Sequence, residues 1–174
     1  MEQTNESREL PTEGDYKDLK GKLLAGDLSF DLINKKLMEF DQATPTRDAA
    51  DENIKFLYDP ELLQYIQEHP ETTGSYKDIL GFTEFHVAQR HAIAGSIEEA
   101  VKHFKKSLEN AADNNKAWQA YVEGSIMYGE GKEIPLSTIE TARGLSQRNA
   151  DILQHFNAGL SERGKPSYLE DYSK

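Results

Sequence analysis

Apolar residues recur at helical spacing along most of this chain. Phe30, Ile33, Leu37 and Phe40 fall on one stripe, which predicts a helix over 28–41. Ser29 is placed to cap that helix and Leu28 to staple onto Ile33. Thr44-Pro45 and Asp59-Pro60 each set a capping side chain before a proline suited to the first helical position. Short helices are therefore predicted near 46–57 and 60–68, the second ended by His69-Pro70. Ser75-x-x-Asp78, Ser96-x-x-Glu99 and Ser137-x-x-Glu140 match the pattern in which a hydroxyl and a carboxylate satisfy each other's free amides, marking three more helix starts. Gly95 and Gly164 stand where left-handed caps end helices, and Pro166 forbids simple continuation of the last one. No stretch alternates as a strand does: Tyr121 to Met127 holds β-formers, but their spacing continues a helix begun near Lys116. The expectation is an all-α chain of eight or nine helices. Residues 1–15 read as a flexible acidic arm, 16–70 as an N-terminal helical part, 71–164 as helical hairpins and 165–174 as a tail that folds back as a cover.

Composition narrows what such a chain does. Hydrophobic residues make up 37% of its 174 positions, which predicts a thin or elongated core for one soluble domain. With no cysteine, disulfides, thiolate catalysis and thiolate metal sites are excluded. Neither a signal-peptide pattern nor a long apolar run is present, so the expected location is cytoplasmic, with no membrane contact. The net charge is -11, and most of the acidic excess lies before Pro70, where 8 basic residues stand against 16 acidic. Direct binding of nucleic acid is disfavoured by that balance, because a phosphate backbone is held by Lys and Arg. A basic partner is permitted, and so is an acidic inhibitor that mimics nucleic acid through residues such as Asp48, Asp51 and Glu52.

No catalytic or metal constellation emerges. His86 and His91 are five apart, about 140° around a helix, so they do not share a face. His103 has Glu99 four residues before it, which an exposed helix pair explains. Nucleophile-elbow and phosphate-loop motifs are absent, and neighbouring acids such as Glu98 and Glu99 point to different azimuths. Neither enzyme activity, metal nor cofactor is expected.

A shift of 34 residues brings Gly95 onto Gly129, Asn115 onto Asn149 and Trp118 onto Ile152. Two helix-turn-helix units then span roughly 81–114 and 115–148, with a further first helix at 149–162. At Ala88, Gly95, Ala100, Phe104 and Leu108 the chain resembles a tetratricopeptide repeat, the best match being the stretch from Ala94 to Leu108. The second unit departs from the pattern. Trp118 takes the aromatic position, but Ile134 replaces a small residue and Pro135 delays the second helix to about Leu136, while Ala112 stands where a repeat usually ends in proline.

The resemblance covers about half of the chain and implies stacked antiparallel helix pairs beneath an N-terminal helical cap. It also implies a concave face lined by first helices. That face would hold Phe82, Phe85, His86 and Gln89 from one unit, Lys116, Gln119 and Glu123 from the next, and Gln154 and Asn157 from the third. The alternative for Phe82 and Phe85 is plain packing against the helices of 46–68. The family's carboxylate clamp is not reproduced, since Phe85, Gln89, Ala120, Ala150 and Gln154 occupy its places. The implied function is a non-catalytic adaptor binding a protein or peptide partner. A small acidic secretion-type chaperone is the nearest variant of that reading.

Overall fold

The structure is a computed structural model, and it describes residues 11–43 and 46–172. Ten α-helices run through the described residues, with no strand among them. They are α1 (Glu13–Leu24), α2 (Phe30–Ala43), α3 (Arg47–Leu57), α4 (Pro60–Glu68), α5 (Thr73–Ile93), α6 (Ile97–Glu109), α7 (Lys116–Gly129), α8 (Leu136–Arg143), α9 (Gln147–Arg163) and α10 (Tyr168–Asp171). Within α5 the chain divides into two compact units, Met1–Ser75 and Tyr76–Lys174.

Capping chemistry explains several of the boundaries. Asp59 Oδ1 accepts from the Glu61 and Leu62 amides at 3.0 and 3.3 Å, with Pro60 opening α4 and needing no donor. Ser29 Oγ accepts from the Leu32 amide at the start of α2. The proposed Thr44-Pro45 cap lies outside the described residues; Thr46 caps α3 through the Ala49 amide. Gly95 and Gly164 take φ of +83° and +70°, the left-handed region that a Cβ disfavours.

Four expectations need correction. The arm ends before Asp15, because Thr12 and Asp15 form a reciprocal capping box that starts α1 at Glu13. Ser75 begins no helix; α5 runs 21 residues from Thr73 to Ile93 and so starts well before the unit proposed to begin near 81. Ser137 lies inside α8, and its would-be partner Glu140 instead holds Arg143 at 2.9 Å. Ser96 does precede α6, but its side chain makes no cap bond and Glu99 pairs with Lys102.

In the first unit, α1 packs on α4 and α2 on α3 around Leu19, Leu23, Ile33, Leu37, Leu57 and Leu62. Tyr16 lies edge-on to Phe40 at 5.1 Å and donates to Asn53 Oδ1 at 2.7 Å, while Asn53 Nδ2 donates to the Leu37 carbonyl. Burial pushes the Tyr16 phenol up to about 12. Lys20 reaches Asp59 at 2.9 Å and Glu61 at 2.7 Å, joining α1 to the start of α4.

The second unit holds one aromatic-rich core. Ala88, Ala100 and Phe104 are fully buried, and Ser107 Oγ donates to the Gly81 carbonyl at 2.7 Å where α6 crosses α5. Phe85 meets Phe104, Trp118 and Tyr121 at ring distances of 5.1, 4.9 and 5.3 Å. Helix α7 packs on α6, α8 and α9. Gly124 makes the α7–α9 approach close, since a Cβ there would stand 2.8 Å from the Leu153 methyls. Among the described residues no helix is long and apolar enough to cross a membrane.

An exposed ion cluster sets one pH dependence. Glu130, just past α7, accepts from Lys105 and from Lys132, each at 2.7 Å, and these two bonds hold its carboxyl down at about 2 from the usual 4.5. Folding lowers this pKa, so its contribution is complete above pH 4.5 and is lost as pH falls toward about 2. The Tm difference between the unaltered chain and Glu130→Gln, small because the site is wet, is expected to vanish across that window. A difference undiminished at the acid end contradicts this account.

Candidate functional site

Helices α5, α7 and α9 touch in turn through their side chains. Phe82 and Phe85 of α5 meet Trp118 of α7, Tyr128 of α7 stacks on Phe156 of α9 at 4.2 Å, and Gly124 admits Leu153. This succession sets the three helices side by side. The structure puts the nine sequence-nominated residues on these three helices but gives them different jobs.

Phe85 is 3% exposed and belongs to the core, so it is withdrawn as a surface contact. Phe82, one helical turn away, is 44% exposed and leans on Trp118 at 4.6 Å. Both aromatics thus meet partners within their own unit. Asn157 is committed to structure: its Oδ1 accepts from the Ile134 amide and its Nδ2 donates to the Ile134 carbonyl, both at 2.8 Å. Those two bonds satisfy the backbone of the buried segment leading into α8 as a strand neighbour would. Asn157→Ala is expected to cost about 1–2 kcal/mol by leaving both groups unpaired, read as a lowered urea midpoint. An unchanged midpoint would show that water replaces the amide without penalty.

The other nominated residues remain nearer the surface. Lys116 donates to Gln119 at 3.1 Å, and Gln119 in turn donates to the Ala112 carbonyl, closing the turn before α7. Glu123 and Gln154 are exposed, and His86 is half-buried. Gln89 donates to the Tyr172 hydroxyl at 3.0 Å, which brings the segment after α9 onto this face.

That segment is the feature sequence reading placed least completely. Beyond Gly164 the chain turns back, and the four-residue α10 lies against α9. Tyr168 is 2% exposed, set among Phe104, Tyr128 and Phe156, and its hydroxyl donates to the Ser125 carbonyl at 2.6 Å. Burial holds its phenol well above the ordinary range. One turn later the Asp171 carboxylate is fully buried, where it accepts from Tyr128 and pairs with Arg163. Burial, then the bond to Asp171, pushes the Tyr128 phenol up to about 12. The Ser167 amide donates to the Tyr128 hydroxyl, so this one oxygen serves both ends of the turn. Gly159 makes room, because a Cβ there would collide with the Asp171 carboxylate. Tyr172 packs beside Tyr121, whose phenol burial raises far above its ordinary value. The only sequence signal was two tyrosines and a leucine beyond a proline.

Glu84 was not singled out by sequence either. It is fully buried on α5, with its Oε2 against His103 Nδ1 and its Oε1 3.9 Å from Lys106. His103 therefore meets Glu84 from the neighbouring helix, and its ring stacks on His91 at 5.3 Å. The expected His103–Glu99 helix pair gives way to this contact, with Glu99 held by Lys102 at 2.5 Å.

No protein-family model matches this chain, and neither a curated protein nor a solved structure matches it.

Proposed function

We propose that this chain is a non-catalytic interaction module of helical-repeat type, similar to tetratricopeptide proteins, that holds a polypeptide partner on the face built by α5, α7 and α9. One observation carries the reading: that face already seats an extended-then-helical peptide segment, Ser167–Tyr172, through buried aromatic and polar side chains. Phe82, exposed and leaning on Trp118, supplies an aromatic surface beside it that α10 leaves uncovered. The 34-residue recurrence that sets Asn115 on Asn149 and Trp118 on Ile152 supports a repeat origin for the helix pairs, although the helices themselves begin at Lys116 and Gln147, closer together than that period.

The test is capture of partners from the native host's lysate by the full-length tagged chain at low and high salt. An apolar contact keeps its polypeptide at high salt, whereas a surface ion-pair contact is screened. Phe82→Asp is expected to lower the salt-resistant capture about tenfold, the scale of one lost aromatic contact, with the circular dichroism of the chain unchanged. Capture that is salt-sensitive and indifferent to Phe82 contradicts the reading and turns attention to the acidic first unit.

A further inference from the structure

The receptor under α10 is shaped for a particular ligand chemistry. Its aromatic part, Phe104, Tyr128 and Phe156, surrounds one ring, and its polar part, the Tyr128 hydroxyl and the Arg163 guanidinium, takes one carboxylate. The Ser125 carbonyl accepts a hydrogen bond from the phenol. Gly159 lies inside α9, where a glycine destabilises a helix by about 1 kcal/mol relative to alanine. Only a glycine at that position leaves space for the carboxylate.

Several contacts that shape the receptor do not involve its occupant. Stacking of Tyr128 on Phe156, the Gly124–Leu153 approach and the Asn157–Ile134 bonds fix α7 and α9 against each other and against the chain before α8. The occupant, in turn, is held mainly through side chains. Helix α10 closes its own turn, with Asp171 and Tyr172 amides donating to the Ser167 and Tyr168 carbonyls. Its outer residues Leu169 and Glu170 face solvent. Bonds from this segment to the helices beneath run through the side chains of Tyr168, Asp171 and Tyr172, the Ser167 amide, and the Glu170 carboxylate on Arg163. Releasing it breaks no backbone bond within α7 or α9, and Gly164, in the left-handed region, starts the link between α9 and α10. Being short and anchored mainly by side chains, the segment can open without unwinding α7 or α9.

We propose that Tyr168–Tyr172 is a resident ligand that shuts this receptor, and that the partner segment displacing it presents an aromatic residue three positions before an aspartate on one helical turn. This rests on the interaction-module reading and names the partner chemistry of that same face. A tethered segment competes at an effective concentration of about millimolar. A free peptide of the same chemistry therefore binds the closed chain weakly and the opened chain well.

The experiment uses the full chain, unaltered and as Asp171→Ala, with a fluorescent peptide covering residues 165–172 as probe. By anisotropy the probe is expected to bind the variant at least about tenfold more tightly than the unaltered chain, the factor of one charge-assisted bond. A probe carrying alanine in place of its aspartate is expected to lose about the same factor. Absence of binding to a variant whose helical dichroism is intact, or equal binding of the two probes, overturns the proposal. Should Asp171→Ala fail to fold, amide exchange in the unaltered chain decides. Residues 167–172 are expected to exchange at least about tenfold faster than the interior of α9, and exchange as slow as that of α9 overturns the proposal. Dimerisation of the unaltered chain that Tyr168→Ala abolishes would make the occupant a second copy and also overturn it. The Phe82→Asp capture result stays independent of each of these outcomes, so the module reading can survive the loss of this one.

Discussion

Tyr168→Ala is expected to destabilise the second unit by about 3–5 kcal/mol, the range for deleting a fully buried aromatic ring. Tyr168 is enclosed by rings from α6, α7 and α9, so no single neighbour can move into the space without leaving another exposed. Its hydroxyl also donates to the Ser125 carbonyl, and truncation loses that bond as well. For a unit of this size each kcal/mol lowers Tm by about 4–8 °C, so a fall of about 12 °C or more is expected in a thermal melt. Tyr168→Phe separates the two causes: it retains the ring and is expected to cost about 1 kcal/mol. A Tyr168→Ala melt within a degree or two of the unaltered chain would mean that the ring is not part of the core.

The second large effect is expected at Arg163. Its guanidinium is the cation for the fully buried Asp171 carboxylate and also reaches Glu170 at 3.2 Å. Arg163→Met keeps the aliphatic stem and removes the charge. Breaking a buried pair from one side costs about 3–5 kcal/mol, and the 20% exposure of the Arg163 side chain puts this site near the lower end, about 3 kcal/mol. Adding Asp171→Asn removes the stranded negative charge, so the double variant is expected to be more stable than Arg163→Met alone by about 1 kcal/mol or more. Urea denaturation of the two singles and the double closes the cycle. Strict additivity would show that the two groups are near each other without being coupled.

These effects fall in a part of the chain that sequence patterns describe unevenly. Helix α4 was legible because Asp59 and Pro60 act locally, one by capping and one by its fixed φ, and neither needs a distant partner. Gly164 was legible for the same reason, since its left-handed backbone is a property of one residue. Ser137-x-x-Glu140 misled because a carboxylate has several suitors, and Arg143 one turn ahead wins over an amide one turn back. Thr12 and Asp15 form the real box, hidden in a polar stretch without apolar periodicity.

The candidate site was legible in its helices more than in its residues. Phe82 and Phe85 lie three apart on one stripe, and nothing local tells which ring meets Trp118 from outside and which from within. Asn157 reads as a polar groove residue until Ile134, twenty-three positions away, claims both ends of its amide. Asp171 reads as one more solvated acid, because its burial depends on Gly159 being small and on Arg163 and Tyr128 converging from two helices.

The long reach of the α10 contacts bears on the order in which the unit assembles. Tyr168 and Asp171 meet Ser125 and Tyr128 across 43 positions, and Tyr172 meets Gln89 across 83, whereas Ser107 meets Gly81 across 26 and lies in a single hairpin. Closing the longer loops costs more entropy before any contact offsets it, so the α5–α6 hairpin is expected to form ahead of the turn at Tyr168. Weakening Ala100 or Phe104 should then slow refolding, while weakening Tyr168 should leave refolding nearly unchanged and shorten the lifetime of the native state. The segment that completes the core is, by this ordering, the timer that sets how long the folded unit lasts.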